Sequence, residues 1–143
     1  MVYTELTKKA MDVAYRAHMS QLDKGMLPYI FHPIHIAEQM ETEREICVAL
    51  LHDVLEDSVL VPEELRQMGF PDMWIEDIIC LTRQPKESYR DYIMRLAPFD
   101  VPRKVKIADL KHNSQLERLE EVTEEDVARK EKYQKYIEIL ESL

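Results

Sequence analysis

The stretch Leu50-Leu51-His52-Asp53-Val54-Leu55-Glu56-Asp57 places four ionisable side chains in an otherwise apolar run. If the stretch is helical, Glu56 shares a face with His52 and Asp53, because residues three and four positions apart are neighbours on a helix. Asp57 lies four residues after Asp53 and falls on that face too. Ionisable groups beside a core are costly unless they pair with one another or bind a cation. The stretch therefore predicts a metal-binding helix or, as the alternative, a solvated acidic face on an amphipathic helix.

The composition is that of a soluble globular protein. The chain has 143 residues, of which 45% are hydrophobic and 33% are charged. This length suits one domain with a substantial core, and we expect residues 1–143 to form a single domain. The formal net charge of −9 argues against a nucleic acid polymer or an anionic membrane as a partner. A small polyanionic ligand would need local Lys or Arg side chains, or a metal ion.

Targeting signals and cysteine chemistry point to the cytoplasm. The first residues, Met1-Val2-Tyr3-Thr4-Glu5, have neither the basic start nor the apolar stretch of a signal peptide. No apolar run approaches the roughly 20 residues that are needed to span a bilayer. Cys47 and Cys80 both lie in apolar helical contexts, which indicates reduced core residues rather than a disulfide or a metal pair. No heptad repeat indicates an oligomeric state.

The spacing of apolar residues predicts an all-α protein, a single helical bundle. Only two glycines are present, so strands joined by tight glycine turns are disfavoured. Cap residues and prolines mark the ends of the helices. We expect helices after Thr4, from Pro33 with His32 at or just before the N-cap, over Glu43–Asp57, from Pro62 to Met68, over Pro71–Leu81 and Glu87–Leu96, from Arg103 towards Leu119, and after Thr123.

Four candidate metal ligands are spread along the chain: His32, His52, Asp53 and Asp109. Asp109 interrupts an apolar helix face, and Asn113, four residues later, shares that face. Two imidazoles and two carboxylates form a mixed nitrogen and oxygen donor set that suits Mn²⁺, Fe²⁺ or Zn²⁺. Four protein ligands leave open positions for water and substrate in a larger coordination sphere. Each histidine alone has a plainer interpretation as a satisfied core residue.

The order of four motifs resembles the hydrolase domain of the RelA/SpoT family. The motifs are Ala17-His18, Pro28-Tyr29-Ile30-Phe31-His32-Pro33, the Leu50–Asp57 stretch, and Lys106-Ile107-Ala108-Asp109-Leu110-Lys111-His112-Asn113. The resemblance implies a helical bundle of the HD-domain type that removes the 3′-pyrophosphate of the alarmone ppGpp with manganese. Since 143 residues leave no room for the family's synthetase domain, it also implies a stand-alone small alarmone hydrolase.

The resemblance also assigns roles by motif position. It implies four metal ligands, a carboxylate pair that orients or activates the attacking water, and an asparagine that contacts the substrate: His32, His52, Asp53 and Asp109, then Glu56 with Asp57, then Asn113. For Glu56 a second interpretation stays open, that of a plain hydrogen-bond acceptor beside the metal site. Lys106 and Lys111 lie near Asp109, and we expect both to be solvated rather than to face phosphates.

The substrate loop departs from the family pattern. Asp23 stands where the family usually has an Arg, only Lys24 of its basic pair remains, and Leu110 replaces an Arg after the last metal ligand. A carboxylate in this loop opposes a polyphosphate. We take Lys24, Tyr29 and Asn113 as candidate substrate contacts, with Tyr29 either packing on a base or closing the core. The alternatives to a ppGpp hydrolase are an HD hydrolase of another nucleotide or phosphate ester, and a non-catalytic metal- or nucleotide-binding module.

Overall fold

The computed structural model describes residues 1–143 and contains nine α-helices. Their bounds are α1 Glu5–Ala17, α2 Phe31–Glu38, α3 Glu43–Leu51, α4 Val54–Asp57, α5 Pro62–Gln67, α6 Asp72–Cys80, α7 Tyr89–Leu96, α8 Asp100–Asn113 and α9 Glu124–Glu141, with a 3₁₀ turn at Leu116–Arg118. Apart from one isolated bridge between Leu22 and Pro28 there is no extended pairing. The prediction of an all-α bundle is confirmed.

Helix α3 is the centre of the bundle. It packs against α1, α2, α6 and α8. Every residue from Ile46 to Leu51 is buried, which requires apolar side chains on all sides of the helix rather than on one stripe. A core cluster of 28 buried residues surrounds it. Because α3 is central, the His52-Asp53 pair directly after its last turn is held inside the bundle.

The expectation of one continuous helix over Glu43–Asp57 is wrong. Helix α3 ends at Leu51 and α4 begins at Val54, so His52 and Asp53 form a turn between two helices. The His52 Nδ1–H donates to the Ala49 carbonyl at 2.6 Å. Asp53 has φ −106° and ψ −3°, in the sparsely populated bridge region where many active-site residues lie. Because of this turn, the regular helical spacing that linked Glu56 to His52 no longer applies.

Two other expected boundaries need correction. Helix α2 begins at Phe31, so His32 lies inside the first helical turn and not at the N-cap. Helix α8 begins at Asp100 and ends at Asn113 instead of running from Arg103 towards Leu119. Pro102 fits in the first turn of α8 because the N–H that proline lacks has no helical acceptor there. The early end of α8 frees the next segment of the chain to fold back over the bundle.

Both cysteines are free, with Cys47 buried and Cys80 half-buried, as the sequence predicts. None of the nine helices has the length and the apolar character required of a bilayer span.

A capping box at the start of α3 stabilises the helix that carries the candidate site. The Thr42 hydroxyl accepts from the Glu45 N–H at 3.1 Å, and the Glu45 carboxylate accepts from the Thr42 N–H at 3.1 Å. We predict that Thr42→Ala lowers the free energy of unfolding by about 1 kcal/mol, measured by urea denaturation. Thr42→Ser keeps the capping oxygen and should stay close to wild type. Equal losses in both variants would contradict this role of the cap.

Candidate metal centre and the adjoining cavity

Three elements bring the four predicted ligands together. His32 comes from the first turn of α2, His52 and Asp53 from the turn after α3, and Asp109 from the middle of α8. These helices pack against one another in pairs. Ligand atoms of His32, His52 and Asp109 all lie within 4.8 Å of one another, and all three residues are buried. The three together can hold a divalent metal ion.

The distances define a compact cluster. The His32 Nε2 atom lies 2.8 Å from Asp109 Oδ1, and the His52 Nε2 atom lies 3.5 Å from the same oxygen. Asp53 completes the group, since its Oδ2 atom is 3.0 Å from His52 Nε2 and 4.0 Å from His32 Nε2. The two imidazole nitrogens and the Asp109 carboxylate thus share one point, and the Asp53 carboxylate lies beside the imidazoles. Such a mixed nitrogen and oxygen donor set suits Mn²⁺, Fe²⁺ or Zn²⁺.

The environment of the His52 ring indicates whether the cluster of candidate ligands fits a metal ion. The His52 Nε2 atom is fully buried and makes no hydrogen bond of acceptable geometry, although the Asp53 carboxylate lies 3.0 Å away. Its ring is fixed from the other side, because Nδ1–H donates to the Ala49 carbonyl. Metal-binding histidines usually have this arrangement, with one nitrogen held by a carbonyl and the other free for the metal. Buried polar atoms without partners are rare, so the residues present fit a metal ion.

Side chains around the cluster hold its carboxylates in place. The Tyr29 hydroxyl donates a hydrogen bond to Asp53. Asn113 donates to Asp109 Oδ1 at 3.1 Å, and Lys106 donates to Asp109 Oδ2 at 2.8 Å. The family resemblance implied that Asn113 contacts substrate, but the contact it makes in the structure is to a candidate ligand. The expectation of a solvated Lys106 is wrong, because this side chain is buried and its charge is balanced by Asp109.

The charges of the cluster stabilise one another. Burial disfavours the charged form of His52, but the nearby Asp53 and Asp109 carboxylates outweigh burial and raise its pKa well above the usual value. Burial likewise disfavours the Asp109 carboxylate, but Lys106 and the two imidazoles lower its pKa well below the usual value. The two carboxylates thus attract positive charge to this point, and a proton and a divalent cation compete for it.

A second histidine pair supports His32. The Nδ1 atoms of His32 and His112 are 2.6 Å apart, and the rings of His112 and His35 stack with centroids 4.3 Å apart. Burial, followed by the charge of His32, lowers the pKa of His112 to about 4. A neutral His112 can share one proton with His32 across this contact. The sequence does not predict that His112 contacts His32, because this contact depends on how α2 and α8 face each other.

Glu56 and Asp57 lie beside the cluster without a hydrogen bond to it. Glu56 accepts from the Arg83 N–H at 2.6 Å. The Asp57 carbonyl accepts from Gln21 at 2.8 Å. Burial raises the pKa of Glu56, and burial together with the Asp53 charge raises the pKa of Asp57. Both carboxylates therefore hold a proton more readily than ordinary surface carboxylates, which is a useful property for a group that accepts a proton near neutral pH.

A cavity of about 230 Å³ adjoins the candidate metal centre. Three of the site residues line it, namely Tyr29, His32 and Asn113, and so does Lys24. The rest of the lining comes from the loop before α2, the 3₁₀ segment and α9: Leu22, Asp23, Gln115, Leu116, Arg118, Leu119, Arg129 and Tyr133. Arg118, Arg129 and Tyr133 lie beyond the segment that carries the family motifs. The sequence carries no signal for these three, because only the folded chain returns the 3₁₀ turn and α9 to the loop.

Asp23 has a structural role in this cavity wall. Its Oδ1 atom accepts from the backbone N–H groups of Gly25 and Leu27 at 2.8 and 3.0 Å. Its Oδ2 atom accepts from Arg118 at 2.9 Å. A Cβ atom on Gly25 would lie only 2.6 Å from the Arg118 carbonyl oxygen, so this position requires glycine. The Asp23 charge is therefore neutralised, and it brings a guanidinium to the cavity.

Comparison with known proteins finds relatives by sequence and by fold. No family model matches the chain. It is 28% identical over 142 residues to a GTP pyrophosphokinase of Myxococcus xanthus, covering 87% of this chain and 18% of that protein. It is 28% identical over 122 residues to the GTP pyrophosphokinase rsh of Brucella melitensis, covering 76% of this chain and 16% of that protein. The chain thus spans less than a fifth of the length of these relatives.

A solved structure shares the fold. The chain superimposes on a metazoan ortholog of SpoT, described as hydrolysing ppGpp, with a TM-score of 0.80 and 20% identity over 98% of this chain and 87% of that one. The class is therefore an all-α domain with the fold of this SpoT ortholog. The resemblance of the sequence motifs to the RelA/SpoT hydrolase domain is confirmed.

The Tyr29 hydroxyl provides a test of the metal centre that does not depend on catalysis. Because this hydroxyl orients Asp53, we predict that Tyr29→Phe weakens Mn²⁺ binding by about 10–100-fold, measured by calorimetric titration. Tyr15→Phe, at an exposed position on α1, is the matched control and should bind like wild type. Unchanged affinity in Tyr29→Phe would show that Asp53 does not depend on this hydrogen bond.

Proposed function

We propose that this protein is a metal-dependent phosphohydrolase that removes the 3′-pyrophosphate from ppGpp-like guanosine nucleotides, with Mn²⁺ as its metal. The observation that carries the proposal is the cluster of buried His32, His52 and Asp109 with the half-buried Asp53, in which one imidazole nitrogen makes no hydrogen bond of acceptable geometry. The cluster adjoins a cavity with cationic side chains.

The four clustered residues would hold the metal through His32 Nε2, His52 Nε2 and one oxygen each from Asp53 and Asp109. A divalent ion at such a site lowers the pKa of a bound water towards neutrality and polarises a phosphoryl oxygen. Lys106 and Asn113 keep Asp109 in position from opposite sides, since they bond to its two different oxygens. Tyr29 does the same for Asp53.

The reaction is a hydrolysis that needs no further reactant. The oxygen of a water molecule forms a bond to the phosphorus attached to the nucleotide 3′ oxygen. The bond between that phosphorus and the 3′ oxygen breaks, the 3′ oxygen takes up a proton, and pyrophosphate leaves. Glu56 and Asp57 are the carboxylates nearest in sequence to the cluster that are free of it, and we assign the water's proton to this pair.

The cavity beside the cluster suits a phosphorylated nucleotide. Lys24 takes part in no ion pair and brings a positive charge to the cavity, whereas Arg118 and Arg129 bring guanidinium groups that are paired with Asp23 and Asp126. Tyr133 and Tyr29 supply aromatic surface for a base, and Asn113 adds an amide. The Asp23 carboxylate opposes a polyphosphate less than a free carboxylate would, because it is paired with Arg118. The departure of the substrate loop from the family pattern is therefore compatible with a polyphosphate ligand.

Two observations from known proteins support the substrate. The metazoan SpoT ortholog with the same fold is described as hydrolysing ppGpp, and the two bacterial relatives are GTP pyrophosphokinases. Leu110 favours a second candidate, hydrolysis of another phosphorylated nucleotide, because this residue is a buried core side chain and provides no charge for ppGpp. A panel of phosphate esters separates the two candidates.

The direct test is pyrophosphate release from ppGpp by the purified protein with Mn²⁺. We predict release by the wild type and loss of both metal binding and turnover in Asp53→Ala, because this change removes a ligand carboxylate. Chelation of the metal should stop the reaction, and renewed Mn²⁺ should restore it. Turnover retained in Asp53→Ala would contradict the assignment of the site. A wild type that binds Mn²⁺ but leaves ppGpp intact would shift the function to another phosphate ester.

The role of Glu56 is separable from metal binding. If Glu56 accepts the proton, Glu56→Gln lowers kcat by roughly 100-fold or more, whereas Mn²⁺ affinity stays near that of the wild type. The raised pKa of Glu56 sets the sign of the pH dependence: the wild-type rate falls as the pH drops through that pKa, because the protonated acid cannot act as a base. A kcat close to wild type in Glu56→Gln would contradict the proton-accepting role and leave the Glu56 carboxylate only as an acceptor for the Arg83 backbone N–H.

A further inference from the structure

His18 is a buried histidine that the proposed reaction does not use. It is the C-cap residue of α1, and only 1% of its surface is exposed. Its Nε2 atom is fully buried and has no hydrogen-bond partner. Because buried polar atoms without partners are rare, and because an apolar side chain would fill the core without this cost, the position of His18 requires an explanation.

A hydrogen bond to Gln21 determines the tautomer of the His18 ring. The His18 Nδ1 and Gln21 Oε1 atoms are 2.8 Å apart. The amide nitrogen of Gln21 donates to the Ala17 carbonyl at 3.3 Å and to the Asp57 carbonyl at 2.8 Å, which orients the amide. Its oxygen therefore faces His18, and since an amide oxygen only accepts, the proton lies on His18 Nδ1. In the neutral ring Nε2 then carries only a lone pair, so the ring is held by its Nδ1–H and by packing.

The same hydrogen bonds connect His18 to one of the two carboxylates assigned to the water's proton. Asp57 is the last residue of α4, where the carbonyl groups of a helix have no helical partner. Gln21, from the loop after α1, supplies the donor for the Asp57 carbonyl. Since His18 in turn holds the Gln21 amide, it fixes the backbone of Asp57 relative to α1.

The face of the His18 ring is connected to the candidate metal ligands. The centroids of the His18 and Tyr29 rings are 4.9 Å apart, with an interplanar angle of 54°. The Tyr29 hydroxyl donates a hydrogen bond to Asp53, and the Tyr29 backbone N–H donates to the Gln21 carbonyl at 2.8 Å. The Tyr29 side chain therefore packs on His18 while its backbone is held by Gln21. Loss of the His18 ring would let the Tyr29 hydroxyl move away from Asp53.

We propose that His18 is a positioning residue that serves both halves of the site. Its Nδ1–H acts through Gln21 on the backbone of Asp57. Its ring acts through Tyr29 on the Asp53 carboxylate. His18 itself neither binds the metal nor touches the substrate. The part that concerns Asp57 rests on the proposed function, whereas the part that concerns Asp53 rests on the metal centre alone.

The tautomer of His18 is directly measurable. A long-range ¹H–¹⁵N correlation spectrum of the metal-free protein at about pH 8, where an ordinary histidine is neutral, shows which ring nitrogen carries the proton. We expect the proton of His18 on Nδ1. A proton on Nε2 would overturn the proposal, because the ring would then have no donor for Gln21. A loss of stability alone does not change this signature.

Two substitutions separate the two connections. His18→Phe keeps a ring against Tyr29 but removes the donor to Gln21, so kcat for ppGpp should fall roughly tenfold, the cost of one hydrogen bond. Its Mn²⁺ affinity should stay within about twofold of wild type. His18→Asn keeps an N–H near the position of Nδ1 but removes the ring, so Mn²⁺ binding should weaken roughly tenfold. Its kcat at saturating Mn²⁺ should stay within about twofold of wild type.

Controls separate positioning from a loss of stability. Val13→Ala shortens another buried side chain of α1 and lowers stability, but it should change neither kcat nor Mn²⁺ affinity. In a Tyr29→Phe background, His18→Asn should weaken Mn²⁺ binding no further, because the hydroxyl through which it acts is absent. An additional loss as large as that in the wild type would overturn the proposal. So would equal changes in His18→Phe and His18→Asn.

Failure of the proposed function is distinguishable from failure of this proposal. If the wild type does not hydrolyse ppGpp, the tautomer and the Mn²⁺ affinities still decide about His18, because neither measurement needs a substrate. A proton on His18 Nδ1, together with weaker Mn²⁺ binding in His18→Asn but not in His18→Phe, would then support the positioning of Asp53 in a protein with another substrate. Unchanged Mn²⁺ affinity in His18→Asn would overturn it.

Discussion

The buried Asp109 carboxylate is the constraint on which the rest of the site depends. A charge inside a protein is costly unless it is paired and hydrogen-bonded. Here one oxygen faces the imidazoles of His32 and His52, and the other receives a hydrogen bond from Lys106. Each partner comes from a different part of the bundle, so the packing of α2, α3 and α8 and the pairing of charges support each other. A divalent cation at this point would complete the balance, because the second carboxylate, Asp53, adds a negative charge that the buried lysine does not offset.

The sequence predicted the fold class, and it also singled out the candidate ligands that the structure brings together, because both depend on local signals. Apolar spacing and caps determine where helices form, and the His52-Asp53 pair stands out in an apolar run. The sequence could not predict the turn at that pair, because the same residues are compatible with a continuous helix. The turn is seen only in the structure, where the His52 ring donates to the Ala49 carbonyl. Nor could the sequence predict that Lys106 is buried, because a lysine between apolar residues on a helix is ordinarily solvated at its tip.

The substrate side of the site shows how a local substitution is compensated at a distance. Asp23 appeared to oppose a polyphosphate, yet it forms an ion pair with Arg118, which lies 95 residues further along the chain. The close approach of Gly25 to the Arg118 carbonyl makes this contact possible. Charge along the chain therefore gives a misleading view of charge at the cavity. The cationic lining forms only when the segment after α8 folds back over the loop.

The measurement that tests the central claim most directly is anomalous X-ray diffraction at the manganese edge from crystals grown with Mn²⁺. The account predicts one strong peak between His32, His52, Asp53 and Asp109, with ligand distances of about 2.0–2.3 Å, and loss of that peak in Asp53→Ala. No peak at the cluster in wild-type crystals, with manganese bound elsewhere or not at all, would contradict it. The buried cluster would then be a structural ion-pair network, and the proposed chemistry would lose its basis.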